Sequence, residues 1–353
     1  MKKKTMVLSM AAAFALPAMA QSSVTLYGIA DMAVTRVSDK NGVGSTEVNS
    51  GNLNTSRFGL RGSEDLGGGL NAIFNLESSI SMDTGVGGSS TAFWNRAAWV
   101  GLSSKTMGRL TMGFQRPVIY DLLGPLSHTP PFGSPAARID GAAIAGSALE
   151  RFDNTIGTKR FANSVKYSTP DMAGFKVHGF VAMGEVAGAS SSSGRTVDVG
   201  IGYKRGPLDA GLSYLKTKCS GVSGCTATTQ DDTVLGLGAG YNFGPATLRA
   251  IYTRQENAKT ARGNDADTMS VAVIVPMNAW QFAAGYQQLN DKTALNQDVK
   301  QVNLSAVYDL SKRTALYGIY AHQSVDNGGK AGISFLSGKD SQNQLSLGLR
   351  HFF

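Results

Sequence analysis

The last ten residues of the chain alternate between the two faces of an extended strand. One face carries Leu345, Leu347, Leu349, His351 and Phe353, and the other carries Gln344, Ser346, Gly348 and Arg350. A mostly apolar face backed by a polar one is typical of a strand with lipid on one side and water on the other. A half-buried strand in a soluble β-sandwich alternates equally well, so this segment alone leaves both folds open.

The N-terminus predicts export from the cytoplasm. Lysines at positions 2–4 precede an apolar run over residues 6–16, which is followed by the small-residue sequence Ala18-Met19-Ala20. This order is typical of a secretory signal peptide, here residues 1–20, cleaved before Gln21. The run is too short to cross a bilayer as a helix, and the longest later apolar stretch covers only residues 271–277. We therefore expect an exported chain without a helical membrane anchor.

The composition permits a closed β-barrel but does not require one. The chain has 43 glycines and 10 prolines, its hydrophobic residues make up 42%, and its formal net charge is +8. A basic excess can indicate a nucleic-acid partner, but an exported protein rarely meets nucleic acid. We therefore predict no nucleic-acid binding and expect the positive charge on a solvated surface or inside a pore.

Seven short turn signals recur along the chain, mostly at intervals of roughly 30 to 40 residues. They lie at residues 65–69, 104–108, 170–174, 205–207, 244–245, 276–279 and 309–313. Each interval holds two strands of about ten residues and one longer loop, which predicts sixteen strands in eight hairpins. Both termini then lie at the short-turn end, where the first and last strands can pair.

The segments between the turns alternate as a membrane barrel requires. Phe58 and Leu60 alternate with arginines, and the odd-numbered residues of 235–243 are apolar or aromatic whereas the other face is largely glycine. About sixteen strands enclose a water channel, and closure removes the sheet edges that lipid cannot solvate. We predict an all-β fold, a 16-stranded antiparallel transmembrane β-barrel with short periplasmic turns and long extracellular loops.

One interval is about twice as long as the others, and its excess lies in residues 117–159. This segment is rich in proline and then in alanine. Long irregular segments in compact proteins are usually functional loops or disordered. We expect this loop to fold into the lumen and narrow it, and disorder outside the cell is the alternative.

Seven segments resemble the trimeric outer-membrane general porins of the Neisseria/Burkholderia type, among them Asn-Arg-Ala-Ala-Trp-Val-Gly-Leu and the terminal Gly-Leu-Arg-His-Phe-Phe. The segments are residues 22–28, 55–69, 95–102, 163–170, 241–244, 311–317 and 348–353. The resemblance implies one barrel domain over residues 21–353, with an inward-folded third loop as its constriction. It also implies a homotrimer among the lipid and lipopolysaccharide of the Gram-negative outer membrane, through which small hydrophilic solutes and inorganic ions diffuse passively.

The resemblance also implies that Arg57, Arg96 and Arg160 line the constriction. Strand alternation supports Arg57 and places Arg61 on the same inward face, and it groups Arg160 with the polar side chains that follow it. Arg96 shares its phase with apolar residues, so its assignment rests on the resemblance. We expect Arg61 and Arg116 to extend the cluster, and a solvated loop position is the alternative for Arg116.

Carboxylates are expected opposite these arginines, on the inward loop and the nearby wall. Glu77 faces inward by strand alternation. Many porins carry Pro-Glu-Phe-Gly in the loop, whereas residues 130–133 here read Pro-Pro-Phe-Gly, with proline in place of the acid. The sequence therefore leaves open which loop carboxylate faces the arginines. The candidates in the loop are Asp121, Asp140, Glu150 and Asp153.

An arginine-lined constriction predicts a preference for anions, because guanidinium groups stay protonated at physiological pH. A unit charge acts on an ion about 6 Å away with roughly 0.7 to 3 kcal/mol for effective dielectrics of 80 to 20. The predicted function is therefore passive diffusion through a channel that prefers anions. The alternatives are a channel that binds one anion class, such as phosphate or organic acids, and an adhesin or phage receptor that uses its loops.

We predict no enzymatic activity, cofactor or metal site. The histidines lie in no recognisable catalytic motif, and the glycines of residues 236–240 alternate along a strand without the spacing of a phosphate-binding loop. Cys219 and Cys225 are too few for a zinc site. Outside the cytoplasm they are expected to form a small disulfide within one loop, and free thiols are the alternative.

Overall fold

A computed structural model of the chain describes residues 23–39, 41–89, 91–126, 160–184, 193–218, 231–256, 265–333 and 339–353. The predicted signal peptide, residues 127–159 of the predicted inward loop, and Cys219 and Cys225 lie outside these ranges. Within them, no helix has the length and apolar character needed to cross a membrane.

The described residues form one antiparallel sheet of eighteen strand segments. The strands are β1 (Ser23–Asp39), β2 (Gly44–Ser50), β3 (Arg57–Asp65), β4 (Leu70–Ser81), β5 (Val86–Gly87), β6 (Ala97–Ser104), β7 (Gly108–Gln115), β8 (Phe161–Ser168), β9 (Phe175–Ala182), β10 (Thr196–Arg205), β11 (Leu208–Thr217), β12 (Asp232–Asn242), β13 (Thr247–Glu256), β14 (Ala266–Met277), β15 (Trp280–Asp291), β16 (Val299–Asp309), β17 (Thr314–Val325) and β18 (Ser341–Phe352). A short helix, α1 (Val118–Leu123), follows β7.

The eighteen segments occupy sixteen positions around a closed barrel. β2 and β3 pair with successive parts of β1 and so share one position, and β5 and β6 share another beside β4. β1 also pairs with β18, from Ile29 opposite Phe352 to Asp39 opposite Gln342, and this pairing closes the sheet. The predicted 16-stranded antiparallel barrel is confirmed.

Side-chain alternation separates an apolar outer surface from a mixed inner one. All seven predicted turns connect hydrogen-bonded neighbouring strands. In β14, Val271 and Val273 are exposed on the outer face, whereas Ser270 and Ala272 are buried. Aromatic side chains cluster beside the short turns, with the rings of Trp280 and Tyr308 4.7 Å apart. An apolar band with aromatic residues at its edge is the surface that a bilayer requires.

Loop residues fill part of the lumen from two sides. α1 packs against the inner faces of β10, β11 and β12, where Ile119 and Leu123 are fully buried. Between β2 and β3, Leu53 is buried in one apolar cluster with Ile333 and Ile319. A solute can pass only through the part of the lumen that α1 and the residues between β2 and β3 leave open.

Candidate functional site: a charged cavity in the lumen

A polar cavity of about 400 Å³ lies inside the barrel, lined by β3, β4, β6, β7, β8 and the segment that contains α1. Among the residues that the structure describes, five cationic side chains and two carboxylates line it, so the formal charge of this part of the lining is +3. The cations are Arg57, Arg96, Arg109, Arg116 and Lys166, and the carboxylates are Glu77 and Asp121.

Glu77 joins two of the arginines predicted from the resemblance. The side chain lies on β4, and Arg96 Nε donates to Glu77 Oε1 at 2.6 Å. Arg57 Nη1 lies 3.9 Å from the same oxygen, and the Tyr27 hydroxyl donates to Glu77 Oε2 at 3.0 Å. The Glu77 side chain is only 14% exposed, so its carboxylate is compensated by neighbouring donors more than by water.

Arg96 reaches the cavity although its sequence phase matches the outward-facing Val100 and Leu102. The residue lies in a bend just before β6, and its backbone N–H donates to the Glu77 carbonyl at 3.1 Å. Strand alternation begins only at Ala97, so it does not dictate where the Arg96 side chain points. Alternation therefore makes no prediction for Arg96, which is named as a site residue from the resemblance alone.

Arg160 lies just before β8, beside the cavity lining. Its Nε donates to the backbone carbonyl of Arg96 at 3.3 Å. Residues 164, 166 and 168 face inward as alternation predicts, but this phase does not continue back to Arg160. Asn163 has a φ of 51°, and the register of β7 against β8 shifts nearby. As a result Phe161 packs inside the barrel against Phe180, with ring centroids 5.7 Å apart.

The two arginines expected to extend the cluster have different positions. Arg61 lies on β3, toward the short turns, with its guanidinium carbon 5.1 Å from the centroid of the Tyr27 ring. Arg61 is not among the residues that line the cavity. Arg116 does line it, and its guanidinium carbon lies 3.5 Å from the centroid of the Tyr120 ring on α1. Cation–π contact of this kind fixes a guanidinium without neutralising it.

Two cations of the lining were missed by the sequence analysis. Arg109 on β7 stacks on Trp99, with its guanidinium carbon 4.7 Å from the ring centroid. Lys166 on β8 donates to Asp121 Oδ2 at 2.6 Å and to the carbonyl of Arg116 at 3.0 Å. The signal was available, since Arg109 and Lys166 each alternate with apolar or aromatic side chains along their strands. Of the loop carboxylates that the sequence left open, Asp121 is the one that lies in the described residues.

α1 is seated on a wall of glycine. A Cβ atom built at any of six glycines on β10, β11 and β12 would lie 2.4 to 3.1 Å from the side chain of Leu122, Leu123 or Leu126. The six are Gly200, Gly202, Gly211, Gly236, Gly238 and Gly240. Because ordinary van der Waals contacts are longer, larger residues there would force the helix away from the wall. The glycine face of residues 236–240 is thus the surface that receives α1.

Comparison with known proteins extends these observations. The chain matches the family model for Gram-negative porins over residues 7–328. It is 34% identical to outer membrane porin protein 32 of Delftia acidovorans, with 100% of both chains covered. It is 27% identical to major outer membrane protein P.IB of Neisseria meningitidis serogroup B, covering 89% of this chain and 91% of that protein. The structure of the anion-selective porin from Comamonas acidovorans matches with a TM-score of 0.75 and 30% identity, covering 94% of this chain and 100% of that chain.

Proposed function

We propose, because this chain belongs to the Gram-negative porin family, that the charged cavity is the constriction of its channel and that it favours anions. The chain is an outer-membrane porin, and porins are channels through which small hydrophilic solutes diffuse passively. The observation that carries the anion preference is the formal charge of +3 on the cavity lining.

Within the described part of the lining, the two carboxylates are fewer than the five cations. Glu77 contacts Arg96 and Asp121 contacts Lys166, so each carboxylate is already balanced by one cation at 2.6 Å. At about 6 Å, each further unit charge changes the energy of a passing ion by roughly 0.7 to 3 kcal/mol, and about 1.4 kcal/mol corresponds to tenfold. A net charge of +3 on the described lining is sufficient for an anion preference of about one order of magnitude at low salt.

Two further observations support the wider assignment. A relative that is 30% identical over 94% of this chain is named an anion-selective porin, which favours the same preference here. The aromatic rim, with Tyr241 and Phe243 at the edge of the outer apolar surface, supports contact with outer-membrane lipid. By resemblance to its family we propose a homotrimer among lipopolysaccharide.

The proposal is tested by the reversal potential of the purified protein in a planar bilayer under a potassium chloride gradient. The reversal potential of the wild-type protein should have the sign expected for a channel that passes chloride more readily than potassium. The variant Arg57→Gln/Arg96→Gln should lose most of that preference, about tenfold in permeability ratio, because two charges leave the lining. Arg313→Gln, which removes one charge from an exposed turn, serves as the control. A wild-type potential on the cation side, or a double variant indistinguishable from Arg313→Gln, would contradict the proposal.

A further inference from the structure

Asp198 is a fully buried carboxylate on the inner face of β10, and it contacts the start of α1. Its Oδ2 accepts a hydrogen bond from the backbone N–H of Ile119 at 2.7 Å. Its Oδ1 accepts a hydrogen bond from the Ser213 hydroxyl on β11 at 2.6 Å. One acid therefore connects two strands of the wall to the segment that enters the lumen.

The contact satisfies a need that α1 does not meet from its own sequence. The first N–H groups of a helix have no partner within the helix, and a side chain just before the helix usually accepts from them. Here that position is Pro117, which makes no side-chain capping hydrogen bond. Asp198 supplies the acceptor from the barrel wall, and its carboxyl oxygen lies at the end of the helix where the backbone dipole favours electronegative atoms.

The orientation of α1 matters because its two faces have different roles. Ile119 and Leu123 are buried against the wall, whereas Tyr120 and Asp121 line the charged cavity. A helix of six residues does not hold its shape alone in water, so its position depends on contacts with its surroundings. A shift of α1 would move Asp121 away from Lys166 and change both the width and the charge of the cavity.

We propose that Asp198 is a positioning residue for the channel, which holds α1 against the glycine wall and thereby sets the conductance of the pore. This proposal rests on the proposed function, because it takes the cavity that α1 lines to be the constriction of the channel. A different account is that the apolar side chains of α1 hold it on the glycines without help from the carboxylate. The two accounts differ in what removal of the carboxylate does.

The test uses the full-length protein with Asp198→Ala and Asp198→Asn, recorded as single channels in planar bilayers. Asp198→Ala should change the single-channel conductance by roughly twofold or more and add stepwise current fluctuations, because α1 is then free to leave the wall. Asp198→Asn keeps the size of the side chain and one acceptor oxygen, so we expect a smaller change in the same direction and a normally folded barrel. Migration on gels with and without heating checks folding.

Asp209→Ala is the matched control. Asp209 lies on β11 with the same inward phase as Ser213, but its carboxylate pairs with Lys204 at 2.8 Å near the short turns. The control therefore removes a carboxylate from the inner wall that pairs with Lys204 and makes no hydrogen bond to α1. If Asp198→Ala and Asp198→Asn both conduct as steadily as Asp209→Ala, the proposal is wrong and apolar packing alone holds the helix.

A crosslink gives a second readout that a general loss of stability would not reproduce. A Cβ at Gly211 would lie 3.0 Å from Leu122 Cβ, near the separation of about 3.5 to 4.5 Å that a disulfide requires. Leu122→Cys/Gly211→Cys should suppress the current fluctuations of Asp198→Ala when oxidised and allow them again on reduction, with Cys219 and Cys225 replaced by serine. If the oxidised crosslink does not remove the current fluctuations, the proposal is also wrong. Neither result depends on ion preference, so a cation-side reversal potential would refute the proposed function alone.

Discussion

Two arcs of the inner wall contrast in what their side chains do. From β3 to β8 the wall presents long charged side chains to the cavity, such as Arg57, Arg109 and Lys166. From β10 to β12 it presents glycine and is covered by α1. The first arc supplies charge, and the second supplies room for the segment that faces it. An electrostatic filter needs both, because the effect of a charge on an ion depends on how closely the opposite side of the channel confines that ion.

The two arcs should respond to different kinds of substitution. On the charged arc the side chains are held by partners, Arg96 by Glu77 and Arg109 by Trp99, so a change of charge matters more than a change of volume. At the glycines of the second arc an added carbon collides with side chains of the α1 segment, so there a change of volume matters more than a change of charge. Substitutions at the glycines should therefore change the conductance, and substitutions in the charged arc should change the ion preference.

The largest effect is expected from filling the glycine arc with Gly236→Val. A Cβ there would lie 2.4 Å from Leu123 Cδ1, so the substitution should push α1 off the wall and change single-channel conductance about threefold. Gly179→Val is the control, because a Cβ at Gly179 meets open space. Equal conductance in the two variants would show that α1 does not need the glycines.

The sequence predicted the barrel well because its signal is local and repeated. Alternation and turn residues specify each hairpin separately, and together they gave the seven turns and sixteen strand positions. The same rule assigns Arg57 and Glu77 to the inner face, and both line the cavity. It could not place Arg96, which lies in a bend before its strand, or the neighbourhood of Arg160, where a bulge near Asn163 shifts the phase.

The contacts within the cavity were beyond local rules. Glu77 meets Arg57 and Arg96 only because three neighbouring strand positions have a particular register, which no single segment encodes. The glycine face of β12 was visible in the sequence, but what covers it was not, because α1 is six residues long and begins after a proline. Asp198 likewise looks like one polar residue of a strand until the helix is seen against it.

A smaller effect, on ion preference alone, is expected from Arg109→Gln on the charged arc. The variant removes one of the five cations of the lining and leaves both carboxylates in place. One unit charge at about 6 Å in a water-like dielectric stabilises an anion and destabilises a cation by about 0.7 kcal/mol each, and salt near 0.1 M roughly halves both effects, so the anion-to-cation permeability ratio should fall about threefold. Reversal potentials measure the ratio, with Lys105→Gln in an exposed turn as control. A change in conductance without a change in preference would contradict the division between the arcs.

The smallest effect is expected where the two arcs meet, from neutralising both members of the ion pair between Asp121 on α1 and Lys166 on β8. Asp121→Asn alone should raise the anion preference and Lys166→Met alone should lower it, each by about as much as Arg109→Gln, because each changes the charge of the lining by one unit. If the pair acts only through charge, Asp121→Asn/Lys166→Met should return the reversal potential to the wild-type value. Ion pairs of this exposure contribute only about 0.2 to 1 kcal/mol, so α1 should stay seated and conductance should stay constant through the cycle. A double variant with wild-type preference but altered conductance would show that this ion pair, and not Asp198 with the glycines, positions the helix.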